Sequence, residues 1–222
     1  VKVWLRGRLV DAEAAQVSVF DHGLTVGDAV FETVAVRQGH AIALTRHLQR
    51  LDRSAGALGL PMPDLNALRS AVEAVLDANS MSEGVLRILY TSGPGPLGSG
   101  RGDRAPTDAV LAGPPPHWSS CADVAVLDWP RNQRSGIVGV KTTSYAENVM
   151  ALAEARRRGA SEAVFPNLAG NLCEGSGSNV FLVHRGQLMT PPLSAGCLAG
   201  VSRALIIERL GIDVSQQDVP IS

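Results

Sequence analysis

The stretch G-V-K-T-T-S-Y-A-E-N-V-M-A-L, residues 139–152, decides how this chain is read. Its lysine, Lys141, is followed by Glu174 in C-E-G-S-G-S-N-V-F-L-V (173–183), and then by L-A-G-V-S-R-A-L-I-I (198–207). Lysine is the side chain that forms a reversible imine with an aldehyde and can then shuttle protons. A carboxylate such as Glu174 can keep a basic ring nitrogen protonated, and a buried carboxylate needs such a cationic partner. A turn led by Gly200 and opening a helix at Val201 and Ser202 presents backbone N–H groups to a phosphate. Aldehyde, ring nitrogen and phosphate are the three handles of pyridoxal 5'-phosphate. Lys141 is also one of only two lysines, the other being Lys2 at the chain end.

With these motifs the chain resembles the fold-type IV pyridoxal-phosphate enzymes. That family holds branched-chain and D-amino-acid transaminases and 4-amino-4-deoxychorismate lyase. The resemblance runs from about Trp4 to the C-terminus and is densest over 20–60 and 139–206. It implies Lys141 as the catalytic, cofactor-linked lysine, Glu174 as partner of the ring nitrogen, and Gly200, Val201 and Ser202 as the phosphate turn. It further implies that Leu198 packs on the ring and that Arg50, in R-H-L-Q-R-L, pairs with the phosphate. Tyr145 is a candidate donor to the cofactor's ring oxygen, with core packing the other reading, and Asn148 stands behind it. Ser176 or Ser178 would bond the phosphate or Glu174, or serve the turn itself.

Composition narrows the class. The chain has 222 residues, enough for one large domain or two small ones, and a net charge of −1 that argues against nucleic acid or a membrane surface as partner. Hydrophobic residues make up 45% and aromatics only 4%, so Val, Leu and Ala must carry the core. Cys121, Cys173 and Cys197 are widely spaced and have no metal-site pattern. No metal is expected, and Cys173 reads as a small buried apolar residue. Without a membrane span or a signal-peptide pattern, the expected location is the cytoplasm. Arg156–Arg158 before Gly159 reads as favourable charge at a helix C-terminus.

Along the chain, short apolar runs broken at Gly7 and Gly39 predict hairpins. Helices are predicted after Thr45 as a cap, with Leu48, Leu51, Ala55 and Leu58 on one face, and from Asp64 to Asn79 with Leu65, Leu68, Val72, Val75 and Leu76 inward. Arg50 falls away from the Leu48 face. Residues 92–106 hold five glycines and three prolines, which precludes regular structure. Gly93, Gly95 and Gly98 spell a dinucleotide fingerprint, but no helix opens after them. A mobile loop beside the site is the family expectation there. Strands are expected near 107–112, 123–128 and 162–166. A helix should run from about Tyr145 to Arg158, a hairpin over 179–190 should turn at Arg185-Gly186, and a last helix should span Ser202 to Leu210 and stop at Gly211. The expected class is α+β in two lobes, a D-amino-acid-aminotransferase-like fold, with a small lobe at 1–112, a linker at 113–118 and the cofactor lobe at 119–222.

Substrate identity rests on the first lobe. Glu32 falls on a strand face where alternation expects an apolar residue, so a partner such as Arg50 or His47 is required. F-E-T at 31–33, D-H-G-L at 21–24 and L-G-L-P at 58–61 look more like aminodeoxychorismate lyases than like branched-chain transaminases. Leu24, Thr33 and Arg87 are the candidate substrate residues, with Arg87 facing a carboxylate or simply solvent. The resemblance implies a small amino substrate and a homodimer. Branched-chain or D-amino-acid transamination is the alternative activity. The chain stops at V-P-I-S, before a segment that family members carry, so an incomplete cofactor lobe and a non-catalytic relative are also expectations.

Overall fold

The computed structural model describes residues 1–117, 119–209, 211 and 213–221. Trp118, where the expected linker ends, Leu210, where the expected last helix ends, and Ser222 lie outside the described residues. The chain divides into two compact units. One comprises Val1–Trp118 with Val140–Ser144, the other Ser119–Gly139 with Tyr145–Ser222. The short segment that carries Lys141 therefore packs with the first unit.

The first unit is built on an antiparallel sheet of six strands: β1 (Lys2–Leu5), β2 (Arg8–Asp11), β3 (Ala29–Arg37), β4 (His40–Ala41), β5 (Gly84–Thr91) and β6 (Thr107–Gly113). Their order is β2-β1-β6-β5-β3-β4. A four-residue helix, α1 (His22–Thr25), precedes β3, and two longer ones, α2 (Leu44–Leu58) and α3 (Leu65–Ala78), cover one face. Alternation along β3 sends Val30, Val34 and Val36 into a core with Leu48, Leu51 and Ala55 of α2 and Leu68, Val72 and Val75 of α3. Ala29, Phe31, Thr33 and Ala35 point to the opposite face. The inward residues expected of both helices are those that pack, because a period of 3.6 leaves one stripe to bury.

Thr45 is not the cap of α2. The helix begins one residue earlier, after Ala43 at φ 53°, which offers no side-chain bond, and Thr45 Oγ1 instead accepts from Arg69 Nη2 of α3 at 2.9 Å. Asp64 does cap α3, accepting from the N–H groups of Asn66 and Ala67.

The second unit holds two three-stranded sheets. One contains β7 (Val124–Val126), β8 (Glu162–Pro166) and β9 (Leu172–Gly175); the other contains β10 (Leu182–His184), β11 (Gln187–Thr190) and β12 (Val214–Gln216). Helix α4 (Ala146–Arg157) buries Ala151 and Ala155 with Phe165, Cys173 and Cys197. Helix α5 (Val201–Arg209) starts one residue before the expected Ser202. Arg157 and Arg158 close the end of α4 by pairing with Glu154 one turn back. The three predicted hairpins share one device: Arg6-Gly7, Gln38-Gly39 and Arg185-Gly186 all have positive φ at both turn residues. That is the two-residue turn whose twist matches the strands it joins. The architecture is α+β. Among the described residues no helix is long and apolar enough to cross a membrane.

Candidate active site

In the first unit the lysine segment lies along β3. Phe31 N–H donates to Lys141 O at 3.0 Å, Thr143 N–H donates to Ala29 O at 2.9 Å, and Lys141 N–H donates to Ser54 Oγ at 3.2 Å. The backbone is thus fixed on both sides of the residue, and its side chain reaches the sheet face that carries Phe31. There Lys141 Nζ stands 4.5 Å from the centroid of the Phe31 ring, and the Arg87 guanidinium carbon is also 4.5 Å from it. Arg87 is the cross-strand neighbour of Thr33, so three of the sequence candidates gather on one face. Leu24, on α1, is 68% exposed.

Arg50 and Glu32 meet as a buried pair. Glu32 Oε1 accepts from Arg50 Nε at 2.8 Å, and Oε2 accepts from Arg50 Nη2 and from His47 Nδ1, each at 2.6 Å. An ionised carboxylate only accepts, so the His47 proton sits on Nδ1. Both partners anticipated for Glu32 are therefore engaged. Burial pushes the Glu32 carboxyl up, but the hydrogen bonds and charges of Arg50 and His47 outweigh it and hold the group below its ordinary 4.5. A carboxyl lowered in the folded state adds stability above its unfolded value, and that stability is lost as pH falls through the folded value. Glu32→Gln should cost roughly 3–5 kcal/mol near neutral pH. In denaturant titrations the gap to the parent should shrink below pH 4.5; a gap still full at pH ~3 would contradict this reading.

In the second unit Glu174 lies on β9 opposite Phe165 of β8. Its Oε2 accepts from Leu198 N–H at 2.9 Å, and Oε1 is 3.2 Å from Arg131 Nε, an ion pair without hydrogen-bond alignment. Arg131 went unnoticed in the sequence, where it sits in W-P-R-N-Q-R with nothing to link it to residue 174. Its guanidinium stacks 4.0 Å over the Phe165 ring, pairs with Glu147, and donates to Asn148 Oδ1 at 3.4 Å. The only signal was the physical requirement that a shielded carboxylate find a cation.

Leu198 links Glu174 to the start of α5. Its carbonyl accepts from Asn179 Nδ2 and from Gly200 N–H, each at 2.8 Å. A Cβ at Gly200 would stand 1.8 Å from Asn179 Oδ1, so the turn needs glycine there. Val201 is buried and Ser202 exposed in the first turn, whose N–H groups have no carbonyl within the helix. Ser176 and Ser178 do not bond Glu174. Both hydroxyls donate to Glu162, Ser178 at 3.2 Å, which braces the Gly-Ser turn against β8. Asn148 Nδ2 donates to Ser176 O at 2.6 Å, and half-buried Tyr145 is the residue before α4. Burial, then the charge of Glu174, pushes the Cys173 thiol up to about 12, so it stays protonated as a buried apolar residue should.

These residues fit pyridoxal phosphate by their chemistry. Lys141 is half-buried beside an aromatic ring, Glu174 is held from two sides, and the Gly200 turn leads into helix N–H groups that have no carbonyl within the helix. Among the described residues no cluster of His, Cys, Asp and Glu would hold a metal ion.

Comparison with known proteins identifies the family. The model of the amino-transferase class IV family matches residues 29–222. A bifunctional aminodeoxychorismate lyase / D-amino acid transaminase of Mycobacterium tuberculosis is 33% identical over 227 residues, covering 93% of this chain and 76% of that one. The branched-chain aminotransferase of Thermoproteus uzoniensis, solved with norvaline, superposes with a TM-score of 0.89 at 35% identity, covering 99% of this chain and 78% of the other. The PLP-bound form of a hypothetical aminotransferase from Mycobacterium tuberculosis superposes with a TM-score of 0.87 at 30% identity, covering 100% and 82%.

Proposed function

Because this chain belongs to the class IV aminotransferases and is a pyridoxal-phosphate-dependent enzyme, we propose that it converts 4-amino-4-deoxychorismate to 4-aminobenzoate and pyruvate. The observation that carries this reading is the Phe31 face. It presents the Lys141 amine and the exposed Arg87 guanidinium, each 4.5 Å from the centroid of one ring, with the small Thr33 across from Arg87. A ring-shaped substrate with two carboxylates uses such an arrangement better than an aliphatic side chain does. The cofactor, when bound, supplies the aldehyde that takes the substrate amine and an electron-withdrawing ring.

The chain's own groups do the rest. Lys141 takes the proton from the substrate's ring carbon and returns a proton to the departing enolpyruvate, which becomes pyruvate as the C–O bond breaks. Gain of aromaticity drives that loss. Arg87 orients a carboxylate by a charge-assisted contact. Glu174, fixed by Leu198 N–H and Arg131, would hold the proton on the ring nitrogen. The first-turn N–H groups at Val201 and Ser202 would hold the phosphate, joined by Arg50, with Leu198 and Tyr145 against the ring. Leu24 would line the substrate's path. A cytosolic homodimer serving folate synthesis belongs to the same reading.

The bifunctional relative's name favours a second reading, transamination of D-amino acids, and the branched-chain aminotransferase of Thermoproteus uzoniensis extends it to branched-chain acids. One assay separates the two. Aminodeoxychorismate should give 4-aminobenzoate and pyruvate with no keto acid added, since a lyase needs no acceptor. Brisk turnover of leucine or D-alanine with 2-oxoglutarate, with aminodeoxychorismate inert, would establish the transaminase instead.

A further inference from the structure

The Gly/Pro-rich segment 92–106 is a pinned base carrying a bare tip. At its base, His22 N–H donates to Gly93 O and Gly95 N–H to Phe20 O, each at 3.0 Å, while His22 Nε2 lies 2.7 Å from Pro96 O. Three of the five glycines are required by this folding. A Cβ at Gly93 would stand 2.3 Å from Ala105 O, one at Gly95 2.5 Å from His22 Nε2, and one at Gly102 2.7 Å from Pro94 O. The remaining two, Gly98 and Gly100, have nothing within 4 Å of an added Cβ, and Leu97 beside them is 78% exposed.

Arg101 is what holds the far side of that tip. Its Nε donates to Asp28 Oδ2 at 2.6 Å and its Nη2 to Asp28 Oδ1 at 2.7 Å, the two-pronged geometry that a guanidinium makes with a carboxylate. The same side chain donates from Nη1 to Gly59 O at 2.6 Å and from Nη2 to Leu58 O at 2.7 Å. Those carbonyls end α2, where a cation is favoured by the helix dipole. Hydrogen bonding to Arg101 outweighs burial and holds the Asp28 carboxyl below its ordinary range, so the pair is charged on both sides at neutral pH. Asp28 itself lies between Gly27, whose carbonyl accepts from Thr143 Oγ1 and Ser144 Oγ at 3.2 Å each, and Ala29, whose carbonyl accepts from Thr143 N–H. One ion pair therefore ties the tip of the loop to the strand that borders the lysine segment. The residues after Arg101 also wall a cavity of about 730 Å³, with Arg6, Ser18, Phe20, Asp103 and Arg104 around it.

We propose that Arg101 and Asp28 form a latch that closes the 97–100 tip and thereby sets how firmly substrate is retained. The effect on substrate rests on the enzymatic reading above; the closure of the tip does not. Chymotrypsin provides a probe whose site, after Leu97, is present in every variant. Against the holoenzyme, Arg101→Ala and Asp28→Asn should each be nicked there at least ~10-fold faster at 25 °C, with cleavage elsewhere and the melting temperature unchanged. Arg101→Lys, which keeps the charge and loses the fork, should fall between. The double variant should be nicked no faster than Arg101→Ala alone, since one interaction is lost in both. In turnover the Arg101→Ala enzyme should show KM raised roughly fivefold with kcat within about twofold. Nicking within about twofold of the parent, or single effects that multiply in the double variant, would overturn the latch. Faster nicking with KM unchanged would overturn its role in retaining substrate, and a parent enzyme without turnover would count against the proposed function while the nicking rates still judged the latch.

Discussion

Lys141→Ala leaves no borohydride-trappable bond to pyridoxal phosphate and lowers turnover by at least ~10³-fold, because no other side chain on the Phe31 face offers an amine and proton transfer alone contributes about 10²–10⁴. Among what the truncation removes is a contact of Nζ with Phe31, worth roughly 0.5–2 kcal/mol. The bonds that fix the segment run through backbone groups, Lys141 N–H to Ser54 Oγ and Phe31 N–H to Lys141 O, and survive in alanine. A variant that melts like the parent but cannot be labelled isolates chemistry from stability. Lys141→Arg makes the sharper control, since it keeps a cation over the ring and cannot form the bond. Mass spectrometry of the borohydride-reduced parent, placing the label on any residue but Lys141, would remove the basis of the assignment.

The sequence made the local elements legible and the long-range pairings only in part. Amphipathic periods placed α2 and α3, and the X-Gly turns placed three hairpins, because these features are decided within a few residues. The cap of α2 escaped because Ala43 adopts a left-handed conformation with no side-chain signature, and the more obvious Thr45 was recruited by α3. Glu32 announced its need of a cation, and Arg50 and His47 were near enough in sequence to be suggested. Glu174 announced the same need, but Arg131 is far along the chain and reaches it only once β8 and β9 have paired. Ser176 and Ser178 were open to the phosphate, to Glu174 or to the turn itself, and the sequence did not show which. Strand pairing instead put Glu162 beneath the turn, and hydroxyls bond the acceptor that is near in space. The Arg101 latch was hidden in the same way, since its partners lie on β3's leading edge and at the end of α2.

Glu174→Gln tests the carboxylate by its charge alone. Glutamine keeps the volume and an oxygen for the Leu198 N–H, so the turn before α5 should hold and the linkage at Lys141 should still be trapped. What vanishes is the negative charge that would retain a proton on a basic ring nitrogen, and with it the attraction to Arg131 Nε. A shift of one pKa unit corresponds to about 1.4 kcal/mol, so losing the 1–3 units that such a pair can supply lowers turnover by roughly 10- to 10³-fold. The loss should appear in kcat more than in KM, because the charge acts on the bond-making step rather than on substrate binding. Arg131→Met sharpens the test. If Arg131 only positions the carboxylate, its removal should weaken turnover less than Glu174→Gln does, and the double variant should be little worse than Glu174→Gln alone. Near-normal kcat in Glu174→Gln, with cofactor bound, would reduce Glu174 to a brace between β9 and the start of α5.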